Sequence, residues 1–166
     1  MVIKITKYLF SLIAFVSTLA FGQALTPFDQ WVRERPEWKK DPSEIAYVAA
    51  RCSSLELIVG KYISQEGNKP RDIELGKAFI HAGNVYGLVS IKLGDQLGMS
   101  NTFVKERHLS LGKFYSNQVA ENKKLHNQVI YGDLEKDFNF CADQFQLFNA
   151  LNTELGSQGQ ASSKGK

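Results

Sequence analysis

Apolar side chains return at three- and four-residue steps through most of this chain, and that rhythm predicts helices. Ile45, Val48, Ala49, Cys52, Leu55, Val59, Tyr62 and Ile63 mark one stripe, which ends near Gly67-Asn68. Leu75, Ala78, Phe79, Ala82, Val85, Tyr86, Val89 and Leu93 mark a second. Val104, Leu111, Phe114, Tyr115, Val119, Leu125 and Val129 mark a third, from about Thr102 to Tyr131, with Gln118, Asn122 and His126 on or beside it. Leu134, Phe138, Cys141, Phe145, Phe148, Leu151 and Leu155 mark a fourth. No segment alternates apolar and polar residues as a half-buried strand does.

Local signals bracket these stripes. Asp41-Pro42-Ser43-Glu44 puts a cap, a proline at the first helical position and an acid where a capping box wants one. Pro70-Arg71-Asp72 opens the next helix, Gly98 or Ser100-Asn101 closes it, and Asn101 is the candidate cap of the third. Gly132-Asp133 supplies a stop followed by a cap. Thr26-Pro27 starts a short helix through Phe28, Trp31 and Val32, closed before Pro36.

The expected fold is therefore all-α. Four long helices joined by short connections give an antiparallel, up-down-up-down four-helix bundle over residues 41–155. A short N-terminal helix and linker occupy residues 23–40, and residues 156–166, lacking apolar anchors, are expected to form a disordered tail.

The beginning of the chain changes where this bundle is expected to work. Lys4 and Lys7 precede an apolar run from Tyr8 to Phe21, and Ala20 and Gly22 are small, which is the layout of a secretory signal peptide over residues 1–22. The run is about 14 residues, short of the ~20 that span a bilayer. The alternative is an uncleaved leader tethering the domain, the one route to membrane contact. The expected location is outside the cytoplasm, in a bacterial periplasm or extracellular space.

Export would let the two cysteines, Cys52 and Cys141, join. Both lie on buried stripes, one in the first long helix and one in the last. At ~1.5 Å per residue their heights differ by roughly 6 Å, within reach of tilt and loop length. A bridge there closes a loop of about 90 residues, worth roughly 4 kcal/mol in the chain-entropy description.

Composition narrows the chemistry. The 166 residues include 43% hydrophobic ones, enough for a core, and the charge of +3 falls to about +1 once Lys4 and Lys7 are set aside. No basic stripe points to nucleic acid. The sequence has no Cys-x-x-Cys, Glu-x-x-His, His-Glu-x-x-His, phosphate loop or Gly-x-Ser-x-Gly. No catalytic set, metal site or cofactor is assembled from it, and His81, His108 and His126 read as surface or interhelical hydrogen-bonding groups. Acid pairs such as Asp133/Asp137 and Asp137/Asp143 fit caps and solvated faces.

Two other patterns ask for an explanation. Gly76, Gly83, Gly87 and Gly94 fall on one side of the second long helix, at about 1 kcal/mol each against alanine. They serve either close approach by another helix, the third with its Gly112 being the candidate, or a groove for an apolar ligand. Trp31 and Trp38, with Tyr47 and Arg51 one turn apart, either pack the N-terminal segment and a surface stack or present an anchor to a partner.

The leading expectation is a non-enzymatic protein-interaction module, inhibitor- or immunity-like or an envelope accessory factor, acting on another envelope or secreted protein. This rests on analogy of size, export and helicity. The alternatives are a carrier or sensor of a small apolar ligand at the Gly83/Gly87 face, and a membrane-tethered regulator.

Overall fold

The computed structural model describes residues 25–67 and 69–163, with side chains described as far as residue 157. The leader at 1–22 lies outside the described residues. Among those residues every regular element is helical. Helix α1 is Phe28–Glu34, followed by a 3₁₀ turn at Trp38–Lys40; the long helices are α2 (Pro42–Glu66), α3 (Pro70–Gln96), α4 (Asn101–His126) and α5 (Asp133–Ser163).

The helix ends follow local chemistry. The Asp41 carboxylate accepts from the Ser43 backbone N–H at 2.8 Å, with Pro42 at the first helical position. Pro70 opens α3 in the same way. Ser100, rather than Asn101, caps α4, accepting from the Phe103 N–H at 3.1 Å. Helix α1 begins one residue later than expected, with Pro27 at its cap position. Helix α4 stops at His126, five residues early, because Asn127 takes a left-handed conformation (φ 54°). The Asn122 amide donates to the carbonyls of Tyr131 (3.1 Å) and Val129 (3.4 Å) and holds the returning loop, which explains a buried asparagine on an otherwise apolar stripe. Helix α5 continues past Leu155, to Ser163.

Side-chain pairings give the directions. Gly76, Gly83 and Gly87 of α3 meet Gly60, Leu57 and Ser53 of α2, one number rising as the other falls, so these helices run antiparallel. Phe79 meets Phe138, Tyr86 meets Phe145 and Lys92 meets Asn152, so α3 and α5 run the same way. The bundle is centred on the α2–α3 pair: α4 lies chiefly along α2 and α5 along α3, while α3 and α4 touch little. Helix α2 is thus enclosed by α3, α4, α5 and the N-terminal segment, and is buried on all sides from Val48 to Glu56. The sequence reading assumed one apolar stripe and one solvated face for this helix. Its small residues Ala46, Ala49, Ala50, Ser53, Ser54 and Gly60 are what allow neighbours on every side.

The disulfide forms as expected. Cys52 and Cys141 are bonded, with Cα atoms 5.5 Å apart and a sequence separation of 89. The Tyr86 hydroxyl donates to the Cys141 carbonyl, fixing α3 to the same level of α5.

Candidate functional site

The residues first considered as a partner anchor are packed inside. Trp31 is 5% exposed and Trp38 3%. Phe28 stacks on Phe140 at 4.3 Å, Trp31 lies against Trp38 and Tyr47, and Trp38 spans Phe140 and Phe148. The indoles thus fasten α1 and the 3₁₀ turn to α2 and α5. Their exposed edges carry Arg35 and Lys39 instead of open apolar surface.

Arg51 departs furthest from expectation. It does not stack on Tyr47 at the surface; it is 1% exposed and turned inward. Its Nη2 donates to Asp137 Oδ2 at 2.5 Å and its Nε to Tyr115 Oη at 2.8 Å. Tyr115 Oη donates to the same Asp137 oxygen at 2.7 Å, while Asp137 Oδ1 accepts the Phe28 backbone N–H at 2.7 Å. Asp137, expected on a solvated face, is the buried hub that ties α1, α2, α4 and α5 together. Burial works against the Arg51 cation, but the Tyr115 and Asp137 oxygens more than offset it, and its pKa rises. The guanidinium lies 4.1 Å over the Phe28 ring. The void beside this network holds only about 10 Å³, room for a single water at most, so the cluster is cohesive chemistry without access for a ligand.

Open surface lies elsewhere. The glycine ladder packs onto α2, not onto α4: a Cβ on Gly76 would stand 2.7 Å from the Gly60 carbonyl oxygen, and one on Gly83 2.8 Å from Leu57. Gly94 alone faces the start of α4, with Val104 at 3.0 Å. Gly112, the expected partner, has open space beside it. Because α3 is drawn down onto α2, its outer shoulder stands apart from α4, and a groove forms between them.

Two adjoining depressions make this groove. One, about 420 Å³, is lined by Leu57, Gly83, Gly87, Leu88 and His108, with Ser53 and Asn84. The other, about 390 Å³, continues past Ile91 to Val104, Lys105 and Leu109. From Gly83 to Asp95 the α3 wall is roughly 18 Å long at ~1.5 Å per residue. Leu88 (48% exposed), Ile91 (45%) and Leu109 (63%) leave their side chains uncovered along it. Exposed leucines occur singly on any protein; three beside one concave trough form a patch. His108 Nε2 and Ser90 Oγ are 3.2 Å apart and bridge the two walls. Burial and the neighbouring Arg107 charge lower the His108 pKa, keeping the ring neutral near pH 7. His81 and His126 are exposed.

On α2, near Tyr86, Glu56 is buried at 3% exposure, and its Oε2 has no hydrogen-bond partner; burial pushes its pKa up to about 8. Among the described residues no group of three His, Cys, Asp or Glu could hold a metal ion, and no helix is long and apolar enough to cross a membrane. The fold and groove define a small, disulfide-linked helical bundle with an apolar trough on one side. No family model, curated protein or solved structure matches the chain.

Proposed function

We propose that this is an exported, non-enzymatic binding protein whose working surface is the groove between α3 and α4, acting as a carrier or sensor of an apolar ligand. The observation that carries the reading is the coincidence of uncovered Leu88, Ile91 and Leu109 with a trough floored by Leu57, Gly83 and Gly87. Ligand sites are concave, mostly apolar, of about 300–1,000 Å³, and carry a few placed polar groups. The disulfide and the basic-then-apolar leader support export. A second reading, docking of a segment from another envelope protein, draws support from the open wall at Leu109, where a partner's side chains could seat.

A photo-reactive phenylalanine analogue placed at position 88, 109 or, as control, 149 of α5 tests this in cells exporting the protein. Adducts at 88 and 109 with none at 149 are expected. A small added mass supports the carrier and a protein-sized one supports docking. Equal labelling at 149, or none at 88 and 109, overturns the groove as the working surface.

A further inference from the structure

The depression beside Gly83 and Gly87 contains a polar side chain that the fold does not use. Ser53 is 1% exposed, points at α3 and lines the 420 Å³ depression. Its Oγ lies 3.0 Å from where a Cβ on Gly87 would stand, so only a glycine there leaves the hydroxyl uncovered. Ser54 and Ser64 donate to the carbonyls of Ala50 and Gly60, as helical serines commonly do. Ser53 makes no such bond and no other among the described residues. What little of Ser53 is exposed opens into the depression, so its hydroxyl is available to a partner there.

The rest of the lining says what would satisfy it. Leu57, Leu88, Ile91 and the bare glycine backbone are apolar, and the polar groups present are the Ser53 hydroxyl, the Asn84 amide and the His108 ring. His108 is neutral near pH 7 because it is partly buried beside Arg107. Lys105 and Asp95 belong to the adjoining depression. A charged head brought against Ser53 would shed hydration and find no counter-charge, which is strongly unfavourable.

We propose that this depression binds an aliphatic molecule with an uncharged hydrogen-bonding head, such as a fatty alcohol or primary amide. The head meets Ser53 Oγ, and the chain runs along Leu57, Leu88 and Ile91 toward Leu109. The assignment rests on the groove being the working surface and names its ligand class.

Calorimetric titration of the disulfide-intact protein with 1-decanol, decanamide, decanoate and decylammonium tests it. Saturable binding of the alcohol and amide is expected, with both ions at least tenfold weaker. Ser53→Ala should weaken 1-decanol binding about five- to tenfold with an unchanged thermal transition, and Leu88→Asn should abolish it. Decanoate or decylammonium binding as tightly as the alcohol, or full affinity in Ser53→Ala, overturns the ligand class. The groove itself still stands in that case if Leu88→Asn removes binding. Failure of all four probes overturns the proposal, whereas the labelling pattern at positions 88, 109 and 149 reports separately on the groove.

Discussion

Two sides of this bundle solve opposite problems with similar residues. Around Asp137, an arginine, a tyrosine and the backbone of Phe28 saturate one buried carboxylate. Around Gly83 and Gly87, apolar side chains are left uncovered and a serine hydroxyl is left unbonded. The Asp137 network leaves Arg51 Nη1 without a partner yet has no room beside it for a ligand; the groove has room and uncovered apolar surface. A cluster of polar residues is thus evidence of function only where it is accessible. The Arg51 network, chemically the richest place in the molecule, is the least available.

If the closed side is structural, breaking it should cost stability on a scale that groove substitutions do not reach. The largest effect is expected from the disulfide. Cys52→Ala with Cys141→Ala removes a cross-link over 89 residues and should destabilise by about 4–5 kcal/mol, read as a shifted urea midpoint. Asp137→Ala comes next. It strands a buried guanidinium, a tyrosine hydroxyl and the Phe28 N–H, at about 3–4 kcal/mol. The double variant Arg51→Met, Asp137→Leu should recover a large part of that loss, because a buried ion pair replaced by apolar groups of similar volume is often near neutral. A double variant no more stable than Asp137→Ala would contradict the assignment of the penalty to stranded charge.

Glu56, buried on α2 near Tyr86, adds a titration to the contrast. Its folded-state pKa, about 8, lies above the ordinary 4.5, so the folded protein holds a proton that the unfolded chain releases. Its contribution to stability is fully present below pH 4.5, falls as pH rises toward 8 and is lost above it. His108 works in the other sense and at lower pH: its pKa is depressed from 6.5, so stability falls as the solution is acidified through that value. Relative to Glu56→Gln, the wild type should lose roughly 3 kcal/mol between pH 5 and pH 8, at ~1.4 kcal/mol per pH unit where the slope is full. Parallel stability profiles for the two proteins would show that the carboxyl is solvated after all.

Much of the architecture was written in local signals. The start of α2 at Asp41-Pro42, the start of α3 at Pro70 and the turn at Gly132 (φ 63°) into α5 need only a few residues each to specify, and the cysteines sat on stripes that had to meet. What local patterns could not show was which helix would be central. Helix α2 has a charged or hydroxyl residue at 51, 53, 54 and 56, and a helical wheel assigns several of these to solvent. Enclosure by three helices and the N-terminal segment buries all four. That single fact moved Arg51 from a surface stack to a core network, and it put Ser53 under the groove. The glycine ladder was legible as a close approach, but its partner was not, since Gly60 and Ser64 on α2 accept it as well as any glycine on α4 would. Leu75 and Leu125, on apparent core stripes, are 43% and 62% exposed.

The smallest predicted effects come from two glycines that look alike in the sequence. Gly83 lies in the α2–α3 contact, where a methyl would meet Leu57 at 2.8 Å from its side chain and 3.0 Å from its backbone nitrogen. Leucine can yield at its tip but the α2 backbone cannot, so Gly83→Ala should force the helices apart and destabilise by about 1–3 kcal/mol. It should also deform the floor of the groove. Gly112 sits in the middle of α4 with nothing within 4 Å of an added Cβ. There the alanine should collect its helix-propensity advantage and stabilise by about 1 kcal/mol, raising the thermal midpoint by several degrees. Opposite signs at the two positions are the expected outcome of paired thermal melts. A loss at Gly112 would mean that the space beside α4 is filled in solution, by a ligand or a second molecule reaching the groove's outer wall.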